Sequence, residues 1–237
     1  MKSSKKPSSQ AAGRGLAAIP PEFQAPEPGS PRARILDAAR EAFAETGMDA
    51  TTTRSIADRA QVNLAMVHYY FGSKVQLYRR VLGREMLQVF GTLAGVLAEE
   101  EGRPIDRLLN LVRRINSAFR DDPVRLAIIR QEIGQGGPHA LEVVRELGDA
   151  GPKGFRQLLF DAMSRAQEAG QLVEGEPRAI ANLLLMCAYG PLFLEPIVRV
   201  LFDAPTLDDE RWEKLLSGQS ELLQRALLPR PSKESES

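Results

Sequence analysis

Apolar residues recur three and four positions apart along almost all of the chain from residue 31, and alternation with a period of two is nearly absent. That pattern predicts helix throughout, an all-α protein. The expected helices run over 31–46, 52–60, 63–70, 74–99, 104–120, 123–134, 139–149, 152–170, 176–201 and 207–228. Breaks fall at Gly102-Arg103-Pro104, Asp121-Asp122-Pro123, Gly134 to Pro138, Gly151-Pro152, Gly175 to Pro177 and Ala204-Pro205. At each, proline following a glycine or acidic stop is suited to open the next helix, because its missing N–H is not needed in the first turn. Pro191 and Pro196 lie inside 176–201 and should kink it. Residues 1–29, rich in Ser, Pro, Gly, Lys and Ala, have little apolar periodicity and are expected to be a disordered tail, as is 229–237.

The segment 51–77 is the most specific stretch. Thr52 is the favoured N-cap of a short helix whose buried stripe is Ile56, Ala57 and Ala60. Gln61-Val62-Asn63 forms a turn, and Asn63 can cap the next helix. There Val67, Tyr70 and Phe71 fit an inward face, while Leu64 at the tip and Ala65, His68 and Tyr69 fall on the free face. Gly72-Ser73 stops that helix and Ser73 can cap the one starting near Lys74. Upstream, Ile35, Leu36, Ala39, Ala42 and Phe43 make an apolar stripe that Gly47 ends. Two short helices joined by a three-residue turn are the shape that places a helix in the DNA major groove.

These residues together resemble the amino-terminal DNA-binding domain of the TetR/AcrR family of bacterial transcription regulators. The likeness covers about residues 30–85, from Ile35-Leu36-Asp37-Ala38-Ala39 through Thr51-Thr52, Ile56-Ala57, Val62 and Tyr70-Phe71 to Lys74 and Leu77-Tyr78. Three positions depart from the family pattern. Gln61 stands where glycine is usual in a turn that favours positive φ, Asn63 where serine is usual, and His68 where tyrosine is usual. The resemblance implies a DNA-binding domain over 30–85, with its helix-turn-helix at about 52–71, and an all-α bundle over 86–228 for ligand binding and dimerisation. It further implies a homodimer on an inverted-repeat operator, a small-molecule effector, and repression as the prevailing direction. DNA contacts are expected from Thr52, Asn63, Leu64, Ala65, His68, Tyr69, Tyr70 and Lys74. In the bundle, Phe119, Phe155, Met163 and Met186 are candidates for a ligand pocket. The last two helices are apolar on more than one side, so Leu192, Leu215, Leu216 and Leu222 are candidates for a dimer interface, the alternative being a central place in the domain.

Composition narrows the classes that remain. Net charge is zero, but residues 31–85 carry nine basic and six acidic residues, whereas 86–237 carry 18 and 23, so positive charge gathers in the proposed DNA-binding part. No run of 18 uninterrupted apolar residues occurs, so no membrane-spanning helix is expected, and a single cysteine, Cys187, fits the cytoplasm. His68 and His139 have no clustered partners, and the acidic runs Glu99-Glu100-Glu101 and Asp208-Asp209-Glu210 read as solvated helix ends. With no nucleophile–base pair, metal constellation or phosphate loop, an enzyme is not expected and no cofactor is implied. A helical adaptor that keeps the motif only as a scaffold stays open beside the DNA-binding regulator. Gly91 and Gly95, midway along the helix from Lys74, are either bending points or an admission for a neighbouring helix.

Overall fold

The computed structural model describes residues 18–99, 101–203 and 208–229, and contains ten α-helices and no strand among them. They are α1 Pro31–Ala50, α2 Thr53–Arg59, α3 Leu64–Phe71, α4 Lys74–Ala98, α5 Pro104–Arg120, α6 Pro123–Gly134, α7 Pro138–Leu147, α8 Pro152–Glu168, α9 Pro177–Leu201 and α10 Asp209–Leu227. Six of them begin with proline, five at expected breaks and the sixth at Pro31, while the expected break at Ala204-Pro205 lies outside the described residues. Helix geometry in α1 is interrupted at Gly47, whose φ of 79° favours glycine. The Thr51 hydroxyl, buried there, donates to the Gly47 carbonyl at 2.6 Å and closes the corner.

Two apolar cores are present. The amino-terminal core unites Ile35, Leu36, Ala39 and Phe43 of α1, Ile56 and Ala57 of α2, Val67 and Phe71 of α3, and Leu77, Tyr78 and Val81 of α4. It does not close on itself within 30–85: Ile128 of α6 and Val143 and Leu147 of α7 are buried in the same cluster. The second core surrounds α5, whose Ile105, Leu108, Leu111, Val112, Ile115 and Phe119 recur at helical spacing and are all buried against α4, α8 and α9.

Residues 1–17 and 230–237 of the expected tails lie outside the described residues. Residues 18–29 are ordered, contrary to expectation. Pro21–Phe23 form a single 3-10 turn, and Phe23 is buried on α4. A Cβ at Gly83 would stand 2.2 Å from its ring, so the missing side chain there is what admits Phe23, and the Arg80 guanidinium covers the ring at 5.0 Å.

α9 runs as one helix through Pro191 and Pro196. Proline at 196 has no N–H to give to the Leu192 carbonyl four residues earlier. The guanidinium of Arg130 on α6 donates to that carbonyl instead. Nearby, the Asn116 amide of α5 donates to the Ala188 carbonyl at 2.6 Å. Gly91 and Gly95 are exposed within an unbroken α4, and a Cβ at either would meet nothing within 4 Å, so no neighbouring helix among the described residues approaches them.

By mean hydropathy over 18 residues, 1.3 and 1.6, α4 and α9 reach the measure of a membrane span, which the uninterrupted-run criterion missed because scattered polar residues divide both helices. Half of that window in α4 is buried inside the protein, as in a core helix, against 22% in α9.

Candidate nucleic-acid interface and ligand cavity

Each helix start in the motif is capped by a side chain close in sequence. The Thr52 hydroxyl accepts from the Ser55 backbone N–H at 3.0 Å, and the Ser55 hydroxyl returns the bond in a capping box. Asn63 Oδ1 accepts from Ala65 N–H at 2.9 Å, and the Ser73 hydroxyl accepts from Gln76 N–H at 3.2 Å. Gln61 takes a positive φ of 54° in the turn, so this non-glycine residue adopts the left-handed geometry the motif needs. Arg59 holds Glu45 in a two-point ion pair at 2.9 and 2.6 Å, fixing α2 against α1.

α3 thereby buries Val67 and Phe71 and presents Asn63, Leu64, Ala65, His68 and Tyr69 outward, with Tyr69 82% exposed. Tyr70 does not pack inward as its spacing suggests. It is 37% exposed, edge-on to Tyr69 at 5.1 Å, because residue 71 already fills the inward position. His68 Nδ1 donates to the Gly72 carbonyl at 3.0 Å. A carbonyl can only accept, so Nδ1 carries a proton and Nε2 is the ring nitrogen left for a DNA contact.

Lys74 is placed differently from a free phosphate contact. Its ammonium donates to the backbone carbonyls of Asp49 and Thr51 at 3.1 and 2.9 Å, tying the start of α4 to the corner before α2. Arg54, exposed in the first turn of α2, makes no ion pair among the described residues and is the freer cation of this face. Sequence reading did not single it out. Its place beside the Thr52 cap at a helix N-terminus was the available signal.

A cavity of about 460 Å³ lies where α4, α5, α6, α7 and α9 meet. Phe119 and Met186 line it, together with Val89, Phe90, Ile129, Tyr189 and Phe193. Phe155 and Met163 do not. They are buried in the second core, Phe155 with its ring 5.7 Å from Phe90. Glu132 is the one acidic wall residue. Cys187 is half-buried, and burial pushes its thiol above the ordinary value, which suits an unreactive packing role.

Between cavity and motif stands α6. At its start, Asp122 pairs with Arg40 of α1. Buried Glu85 of α4 takes Arg40 at 2.7 Å and Arg125 of α6 at 2.9 Å. Burial alone would raise the Asp122 carboxyl, but the Arg125 backbone N–H and the Arg40 guanidinium outweigh it and hold it below its ordinary value. Further along, Gln131 donates to the Ala44 carbonyl of α1 at 3.0 Å, and the Tyr78 hydroxyl of α4 donates to Glu132 at 3.0 Å.

Of the residues considered for a dimer interface, Leu192 and Leu216 are buried within the chain at 2% and 5% exposure, so the central place is theirs. Leu215 and Leu222 face outward. The larger unpartnered apolar surface is the end of α9 and the residue after it, where Leu194, Ile197, Val200, Leu201 and Phe202 are each at least half exposed. His139 is structural, edge-on to Tyr78 at 5.4 Å. Among the described residues, no three His, Cys, Asp or Glu side chains converge as a metal site.

Residues 35–81 match the family model described as bacterial regulatory proteins, tetR family. The HTH-type transcriptional repressor KstR of Mycobacterium tuberculosis is 34% identical over 93 residues, 39% of this chain and 42% of that protein. The chain thus spans less than half of the length of that curated relative. Among solved structures, the fatty acid degradation regulator FadR from Bacillus halodurans has a TM-score of 0.64 at 18% identity, covering 84% of this chain and 97% of its own. FadR from Bacillus subtilis in complex with stearoyl-CoA has a TM-score of 0.62 at 20% identity, covering 81% and 97%. At these identities the structural likeness establishes a shared fold.

Proposed function

We propose that this chain, which belongs to the TetR family through residues 35–81, is a sequence-specific DNA-binding transcriptional regulator of the cytoplasm, a homodimeric repressor released from its operator by an apolar effector. The observation that carries the reading is the capped α3, with two buried anchors, Val67 and Phe71, and an outward row of Asn63, Leu64, Ala65, His68 and Tyr69. Leu64 and Ala65 have no donors and suit thymine methyls, whereas Asn63 and His68 suit base-edge hydrogen bonds. Thr52, Tyr70 and Arg54 are the backbone contacts. Lys74 acts chiefly by holding the corner that orients them.

The amino-terminal domain, helix-turn-helix at 52–71, would act as the DNA-binding head, and the helices after residue 86 as its ligand-binding and dimerising body. The apolar wall of the 460 Å³ cavity supports an apolar effector, and the stearoyl-CoA held by the B. subtilis relative is of compatible chemistry. α6 couples the two sites, since it lines the cavity and bonds to α1 and α4. A ligand moves the DNA-binding heads only so far as it prefers one placement of α6 over another.

Gel-shift on DNA upstream of the chain's own gene tests the reading: a retarded complex on an inverted repeat, competed by that sequence and not by random DNA. No specific complex would leave the adaptor role. In sedimentation at micromolar concentration, Leu222→Glu on the exposed face of α10 is expected to give folded monomers, while Leu216→Glu, buried, unfolds the domain. A Leu222→Glu protein that remains dimeric would move the interface elsewhere.

A further inference from the structure

Glu132 sits in the wall of the cavity at 1% exposure. Its Oε2 accepts from the Tyr78 hydroxyl at 3.0 Å and its Oε1 from the Ala140 backbone N–H at 2.7 Å. Both donors are neutral, and no Lys, Arg or His among the described residues forms an ion pair with it. Arg130, two residues earlier, is turned to the Leu192 carbonyl and the Phe193 ring. Burial, reinforced by the charge on Glu132, pushes the Tyr78 phenol far above its ordinary value, so Tyr78 remains a donor. A carboxylate offers about four acceptor positions. Here two are used; Val89, Phe90, Ile129 and Phe193 have no side-chain donor to add, and the Tyr189 hydroxyl, also in the wall, makes no hydrogen bond to Glu132. A buried carboxylate with so little compensation is costly to the empty protein and favours whatever brings a donor or positive charge to it.

We propose that Glu132 is the polar anchor of the cavity and that the effector is an apolar molecule bearing an amine or hydroxyl group, not a carboxylate, at the end that reaches it. This rests on the reading of the cavity as the effector site. The position also explains how such a ligand would be felt at the DNA-binding end. Tyr78 lies four residues into α4 from Lys74 and packs edge-on against Phe43 of α1 at 5.0 Å. A ligand donor that takes a free acceptor position of Glu132 shares that carboxylate with the bond that joins α6 to that ring.

The test is calorimetric titration of the full chain with decylamine, 1-decanol and decanoate, each below its micelle concentration, followed by the same series on Glu132→Gln. Decylamine is expected to bind about tenfold more tightly than decanoate, with decanol between, and Glu132→Gln to remove the preference for decylamine. Equal binding of the three, or decanoate the tightest, overturns the anchor while leaving an apolar effector site in place. Binding of none of them overturns the cavity reading itself, and the anchor with it. Should Glu132→Gln fail to fold, the order of the three probes on the unaltered protein decides.

Discussion

At the recognition-helix end, the helix starts are capped from within three residues, Thr52 with Ser55, Asn63 with Ala65, Ser73 with Gln76. At the α6 junction, the polar ties cross 40 to 87 positions of sequence, from Arg125 to Glu85 and from Gln131 to Ala44. Short-range caps set the geometry of α3 largely independently of what the body does. Long-range ties exist only while α1, α4 and α6 hold one mutual placement, so they can be lost together. A ligand-controlled DNA binder needs both: a head that keeps its shape and a junction with two arrangements.

The contrast is most sharply broken at Glu85. Glu85→Ala removes the buried carboxylate that pairs with both Arg40 and Arg125, leaving half-buried Asp122 as the carboxylate they share, and is expected to cost about 3–5 kcal/mol in urea unfolding. Hydrogen exchange should rise first in α6, with α3 retaining protection. A cost below about 1 kcal/mol would mean that apolar packing, not the charge network, holds the junction.

Acid should act at the same place through Asp122. Its folded-state value lies below the ordinary 3.8, so its contribution is present above that value and is lost as pH falls through the folded one. Stability and protection of α6 are expected to be flat from neutral pH down to about pH 4 and to decline below it. An α6 that opens at higher pH would implicate another group.

Asn63→Ala tests the local side of the comparison. Loss of the cap is expected to cost about 1 kcal/mol of stability and to weaken operator binding, without altering the effector concentration for release. A changed release concentration would show that head and junction are not separable. The smallest effect is expected at Gln61, where glycine should relieve the positive φ and stabilise by up to about 1 kcal/mol in thermal unfolding, with operator affinity nearly unchanged.

What could be read from the chain follows the same division. Thr52, Asn63, Ser73 and Gly47 were legible because caps and helix stops act on neighbours in sequence. The break prolines were legible for the same reason, and helix ends agree to within two residues except at α1, which continues past Gly47 to Ala50 where an end at 46 was expected. Tyr70 was misassigned because helical spacing alone does not say which of two adjacent aromatics wins the inward position. Phe155 and Met163 looked as suited to a cavity as Phe119 and Met186, since only tertiary placement separates a wall from a core. Phe23 sits alone in a proline-rich stretch, where no periodicity can reveal that it packs against Gly83. Glu132, in Arg-Gln-Glu, reads as solvated surface until α4 and α7 are folded over it.

Pro196 carries a consequence for anyone seeking a sturdier version of this protein. Replacing a mid-helix proline with alanine ordinarily improves the helix by some 3 kcal/mol. Here the alanine N–H would claim the Leu192 carbonyl and displace the Arg130 guanidinium, leaving a cation without its acceptor beside the Phe193 ring. Pro196→Ala should therefore give a more regular α9 that has let go of α6. In this molecule a flaw in one helix is the socket for another.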